Sequence, residues 1–132
     1  MLRSLSRALA LLLFLSACES KGADRAIAYD ASDLPCASGD ATHWESAPLP
    51  DLSGGVSEEC VWVRFPGRTV VEIAHALGFT PVDVAVYTSF SDRGESSTVA
   101  SGDSGRIVGA DDSRVLVENT TEQDFYLRVT LR

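Results

Sequence analysis

From Val61 onward the chain alternates apolar and polar positions with a period of two. Val61, Val63 and Phe65 stand opposite Trp62 and Arg64 and end at Pro66-Gly67, the mark of a half-buried strand. Val71, Ile73, His75 and Leu77 share one face of the next segment, Thr69 to Leu77. Val82, Val84, Val86, Thr88 and Phe90 then oppose Asp83, Ala85, Tyr87 and Ser89. After the turn-rich stretches Ser91 to Ser97 and Gly102 to Gly105, Arg114 to Glu118 and Asp124 to Leu131 predict two closing strands. In the last, Phe125, Leu127, Val129 and Leu131 point one way, and Tyr126, Arg128 and Thr130 the other. One segment fits two templates. Val70, Val71, Ile73, Ala74 and Leu77 also form a helical stripe closed by Gly78, but the β-branched start and the neighbouring strands favour a strand.

Upstream the pattern is different. Leu34 to Glu59 is broken by Pro35, Gly39, Pro48, Pro50 and Gly54-Gly55, which predicts short extended pieces joined by turns. Residues 18–33 are polar and alanine-rich without an apolar period, and read as a flexible tether. With five or more short strands, the expected fold is all-β: an antiparallel β-sandwich over residues 34–132.

The first 17 residues read as an address. Arg3 and Arg7 precede the apolar run Ala8 to Leu15, too short for a spanning helix of about 20 residues and suited to an export signal. Leu15-Ser16-Ala17-Cys18 resembles the lipobox of bacterial lipoproteins. That resemblance implies cleavage before Cys18 and acylation of its sulfur, and so a membrane partner held through a lipid anchor. Plain signal cleavage after Ala17 fits less well, since Leu15 stands where a small residue is wanted. Glu19 follows in place of the aspartate that marks inner-membrane retention among such lipoproteins, so the resemblance points to the cell envelope and its outer membrane.

Charge agrees with lipid as the anchor. The chain carries 11 bases and 19 acids, a net charge of −8. Removing residues 1–17 takes away two arginines and no acid, leaving the remainder more negative still. Such a surface does not suit nucleic acid, and a basic patch does not hold it to anionic lipid. With Cys18 assigned to lipid, Cys36 and Cys60 remain. In an oxidising compartment two cysteines read as a disulfide, with separate buried thiols as the alternative.

Val61-Trp62-Val63-Arg64-Phe65, Val71-Glu72-Ile73, Asp83-Val84-Ala85-Val86-Tyr87 and Asp124-Phe125-Tyr126-Leu127-Arg128-Val129 together resemble bacterial pre-peptidase C-terminal domains. The resemblance covers about residues 60–131. It departs in the closing turn, where Gln123-Asp124 replaces the family's glycine. It implies a jelly-roll-like β-sandwich with a non-catalytic, accessory role beside exported enzymes.

Candidate chemistry is sparse. Gly102-Asp103-Ser104-Gly105 matches the motif around the nucleophile of chymotrypsin-like proteases, and His75, Asp83 and Ser104 follow that family's order. That fold spreads its triad over two barrels, and here Arg106 stands where the motif's next glycine belongs; a turn explains the motif. No residue is assigned a catalytic role, and no cofactor is expected. Asp92, Asp103, Asp111 and Asp112 are loop acids of the kind calcium uses, although no EF-hand spacing is present; the reading assigns no metal site and keeps Asp103, Asp111 and Asp112 as weak calcium candidates. Trp62 shares a strand face with Cys60 and reads as packing beside the disulfide. Tyr87 and Tyr126, opposite the apolar sets, are the candidate ligand-facing aromatics. The function expected is a membrane-anchored, non-catalytic binding or accessory lipoprotein with an envelope protein or polysaccharide as partner. The alternatives are a carbohydrate-binding module, or an inhibitor or subunit of an exported enzyme.

Overall fold

The computed structural model describes residues 22–51 and 57–132. The signal segment 1–17, the lipobox and Cys18 lie outside the described residues. Among the described residues ten strands follow in chain order: β1 (Arg25–Tyr29), β2 (Ser38–Gly39), β3 (Trp44–Glu45), β4 (Val63–Phe65), β5 (Thr69–Ala74), β6 (Val84–Ser89), β7 (Thr98–Ala100), β8 (Arg106–Ala110), β9 (Arg114–Asn119) and β10 (Phe125–Leu131). They form two open sheets, one in the order β1-β5-β9-β8 and the other β2-β3-β10-β6-β7, with β4 sharing the β3 edge of β10.

The alternation places the core. Val71 and Ile73 of β5 stand opposite Val117 and Val115 of β9. Leu127, Val129 and Leu131 of β10 pair with Thr88, Val86 and Val84 of β6. These two inner faces bury one cluster, in which Phe65, Val71, Ile73, Val115, Val117, Leu127, Val129 and Leu131 are fully enclosed. Each such side chain contributes about 1.5–3 kcal/mol by leaving water. Thr69–Ala74 is a strand with alternating burial and not a helix.

Two expectations change. The antiparallel jelly-roll-like β-sandwich is overturned: the first sheet is mixed, with β1 running parallel to β5 in the register Arg25↔Thr69 to Tyr29↔Ile73, and neither sheet closes on itself. The cause is connectivity. After β1 the chain crosses to the second sheet for β2, β3 and β4 and returns in the same direction as β5, as a parallel pair requires. Secondly, Arg25–Tyr29 falls within the segment expected to be tether, yet it forms a strand with Ile27 and Tyr29 packed on the core.

One corner fastens the sheets together. Asn119, at the end of β9 and fully buried, donates through Nδ2 towards Phe65 O (3.3 Å), Pro66 O (3.2 Å) and Gln123 O (2.8 Å). Its Oδ1 accepts from the Thr121 N–H (3.0 Å) and hydroxyl (2.6 Å). Beside it, Gly67 N–H donates to Asp124 Oδ1 at 2.9 Å.

Candidate functional site

Cys36 and Cys60 form a disulfide with their Cα atoms 5.2 Å apart. The bond ties the turn before β2 to the short 3-10 turn Glu58–Cys60 that leads into β4. Trp62, two residues on, lies on the outer face of the second sheet because Val63 faces inward. It is nonetheless buried, in a small second core with Ala47, Cys60, Tyr87 and Tyr126, and its Nε1 donates to Pro48 O at 3.2 Å. Gly94 (φ +72°) closes over the ring so tightly that an added Cβ would lie 2.5 Å from it.

Tyr87 and Tyr126, expected to face a ligand, are half-buried and pack on this Trp62 cluster. On β10 opposite Tyr87, Arg128, only 3% exposed, sets its guanidinium 4.9 Å from the Tyr87 ring centre. Its Nε donates to Ala47 O at 2.6 Å, and an Nη reaches the Glu45 carboxylate. The segment around Glu45 to Pro48 is therefore stitched across the sheet by a buried cation. Nothing in the sequence marked Arg128, since a polar residue between Leu127 and Val129 is what any solvated strand face shows.

At the end of the molecule where β1 and β5 finish, the two sheets part over a cleft of about 240 Å³ lined by Ala31, Leu34, Ala37, Trp44, Ala74, His75 and Ala76. Small alanine side chains leave the room, and the Trp44 and His75 rings, 6.0 Å apart and tilted, form its wall. His75 is already committed. The Leu77 N–H donates to Nδ1 at 3.2 Å, so in the neutral ring Nε2 carries the proton and donates to Asp111 O at 3.0 Å. Both ring nitrogens serve the backbone, leaving this wall to offer contact area. A more open cleft of about 440 Å³ lies between β6–β7 and β8, where Val99 and Ile107 are exposed.

The other candidates are kept apart. Asp103 precedes β8, while Asp111 and Asp112 follow it, so the strand separates them. Asp111 closes its own turn: the Ser113 and Arg114 N–H groups bind Oδ1 at 2.9 and 2.7 Å and hold its carboxyl below the usual carboxylate range. Among the described residues no three His, Cys, Asp or Glu side chains gather as a metal would need. Ser104 donates its hydroxyl to Ser101 O within the 3-10 turn Gly102–Ser104, so Gly102-Asp103-Ser104-Gly105 is turn structure and Ser104 does not engage His75. No family model matches the chain, and neither a curated protein nor a solved structure does.

Proposed function

We propose that this chain is an exported bacterial lipoprotein, anchored in the cell envelope through acylated Cys18, whose two-sheet domain acts as a non-catalytic binding or accessory module. The observation that carries the reading is the pairing of Cys36 with Cys60. It accounts for two of the three cysteines, suits an oxidising compartment, and leaves Cys18, behind Leu15-Ser16-Ala17, as the remaining cysteine. The accessory role rests on the strand residues that resemble pre-peptidase C-terminal domains. The Trp44–His75 cleft supports binding over catalysis, because its imidazole is spent on backbone and its other lining side chains are apolar. Mass spectrometry of the protein from bacterial membranes tests the anchor: the N-terminal peptide should begin at Cys18 with a diacylglyceryl group. Cys18→Ser should abolish the modification and release the protein from the membrane. A full-length chain with an unmodified Cys18 in the membrane fraction would refute the proposal.

A further inference from the structure

We propose that the domain is held against the bilayer by one defined end, the end carrying Arg25, Arg68 and the Thr120–Glu122 turn, with the Trp44–His75 cleft facing away. The inference rests on the lipid anchor at Cys18. Its starting point is how early the chain becomes fixed. Ala23 N–H donates to Glu118 Oε1 at 2.9 Å, and Arg68 Nη2 donates to Gly22 O at 3.1 Å. Asp24 and Arg25 N–H then bind Arg68 O at 3.1 and 3.3 Å. Between Cys18 and Gly22 lie only Glu19, Ser20 and Lys21. Four Cα–Cα steps span at most about 14 Å even when fully extended. That reach is shorter than the roughly 17 Å of β9 alone. The lipidated sulfur sits at headgroup level, so the Gly22 end is kept within that reach of the bilayer and the far end of β9 cannot replace it.

The charges favour the same orientation. At the Gly22 end, Asp24 pairs with Arg68 at 3.2 Å, Glu122 with Arg68 at 3.7 Å, and Glu118 with Arg106. Asp124 is held by the Gly67 N–H, and Arg25 lies 4.0 Å from Asp24 and donates to Gly67 O at 2.6 Å; Asp103, Asp92 and Glu95 are exposed loop acids without an ion pair among the described residues, with Arg93 in the same loop as the last two. At the opposite end, Asp30, Asp33, Asp40, Asp83, Asp111 and Asp112 make no ion pair among the described residues, Asp33, Asp40 and Asp111 accepting backbone N–H groups instead; Arg114 there is engaged with Glu72 at 3.0 Å, and Arg132 follows β10. Anionic headgroups repel unpaired carboxylates and tolerate those already matched by arginine. The cleft and its acidic surround are therefore presented to whatever the protein meets beyond the membrane surface.

The test uses the full lipidated chain in phosphatidylethanolamine–phosphatidylglycerol vesicles doped with headgroup spin-labelled phosphatidylcholine. With Cys18 acylated and Cys36 bonded to Cys60, Glu122→Cys or Asp112→Cys supplies a unique thiol for a fluorophore at either end of β9. Quenching of the Glu122→Cys label should exceed that of the Asp112→Cys label at least about threefold, given their separation of roughly 17 Å. Inserting about 20 Gly/Ser residues between Lys21 and Gly22, with an r.m.s. span of about 25 Å, should remove most of that contrast. Equal or reversed quenching in an acylated chain overturns the orientation alone, and a contrast unchanged by the insert overturns the reach argument. A chain found unacylated by mass overturns the anchor and, with it, this inference.

Discussion

Asn119 is the position at which one side chain has most to lose. Asn119→Ala removes a buried amide whose NH₂ serves three backbone carbonyls and whose oxygen serves Thr121 twice. The two N–H donors and the two lone pairs of the oxygen supply at most four good hydrogen bonds for these five contacts, at about 1 kcal/mol each. The carbonyl of Phe65 is left facing the enclosed space, so the loss should be about 3–4 kcal/mol, against a total of about 5–15 kcal/mol for a domain of this size. In thermal unfolding followed by near-UV circular dichroism, that corresponds to a Tm lower by roughly 12–20 °C. Asn119→Asp sharpens the test because it keeps the shape and inverts the donor. A carboxylate aimed at three carbonyl oxygens is disfavoured, so its folded-state pKa rises above the unfolded value of about 3.9. Between those two values the folded protein binds more protons than the unfolded one, and stability falls as pH rises through the window. The deficit of Asn119→Asp relative to wild type should therefore be smaller near about pH 3 than near about pH 7. A Tm loss of only a few degrees for Asn119→Ala, or a pH-independent deficit for Asn119→Asp, would show that the corner does not fasten the sheets.

Three further outcomes follow from the packing. Replacing both Cys36 and Cys60 by serine opens a link spanning 24 residues of sequence and should cost about 3.5 kcal/mol in the chain-entropy model, read from denaturant titrations of oxidised and variant protein. Gly94→Ala combines a positive φ with a Cβ driven into Trp62, whereas Gly78→Ala (φ +85°) meets nothing within 4 Å; the first should lose about 2–4 kcal/mol with a red-shifted tryptophan emission, the second about 1 kcal/mol with none. Glu118, whose carboxyl is held below the usual range by the Ala23 N–H and by Arg106, stabilises the fold above its unfolded pKa. That contribution is lost as pH falls through the depressed folded value. The Tm gap between wild type and Glu118→Gln should thus be present at neutral pH and close in acid; a gap that widens on acidification would contradict this coupling.

How much of this was legible depends on which physical signal each segment carries. Val63–Phe65, Thr69–Ala74, Val84–Ser89, Arg114–Asn119 and Phe125–Leu131 each bury one face and wet or pair the other, so period-two alternation exposed them directly. The 3-10 turn at Gly102–Ser104 was likewise readable, since glycine and aspartate are turn residues whatever motif they spell. Strand β8 hides because it is an edge: Ile107 and Val108 are both partly exposed, and a register shift between Ile107 and Gly109 breaks the period. Strand β1 hides because Ala26 and Ala28 carry almost no hydrophobic signal, and only Ile27 and Tyr29 reach the core.

The fold class failed for a reason deeper than a missed element. Alternation reports which face of a strand is buried and is silent about the strand's direction and neighbours. The parallel pairing of β1 with β5 is therefore invisible in either segment, and strand count, alternating faces and the pre-peptidase resemblance all point to an antiparallel sandwich without testing strand direction. The same silence covers Arg128. Its burial depends on the Glu45–Pro48 segment crossing the outer face of the sheet, a long-range event that leaves no local trace in β10. The end proposed to face the membrane arises the same way. The polar residues before Asp33 suggested a free tether, but Gly22 and Ala23 are captured by Arg68 and Glu118, which lie 46 and 95 residues further along the chain. What shortens the linker from 16 residues (18–33) to the few between Cys18 and Gly22 is therefore tertiary structure. On the proposed acylation of Cys18, that contraction turns an anchor that would let the domain tumble into one that orients it.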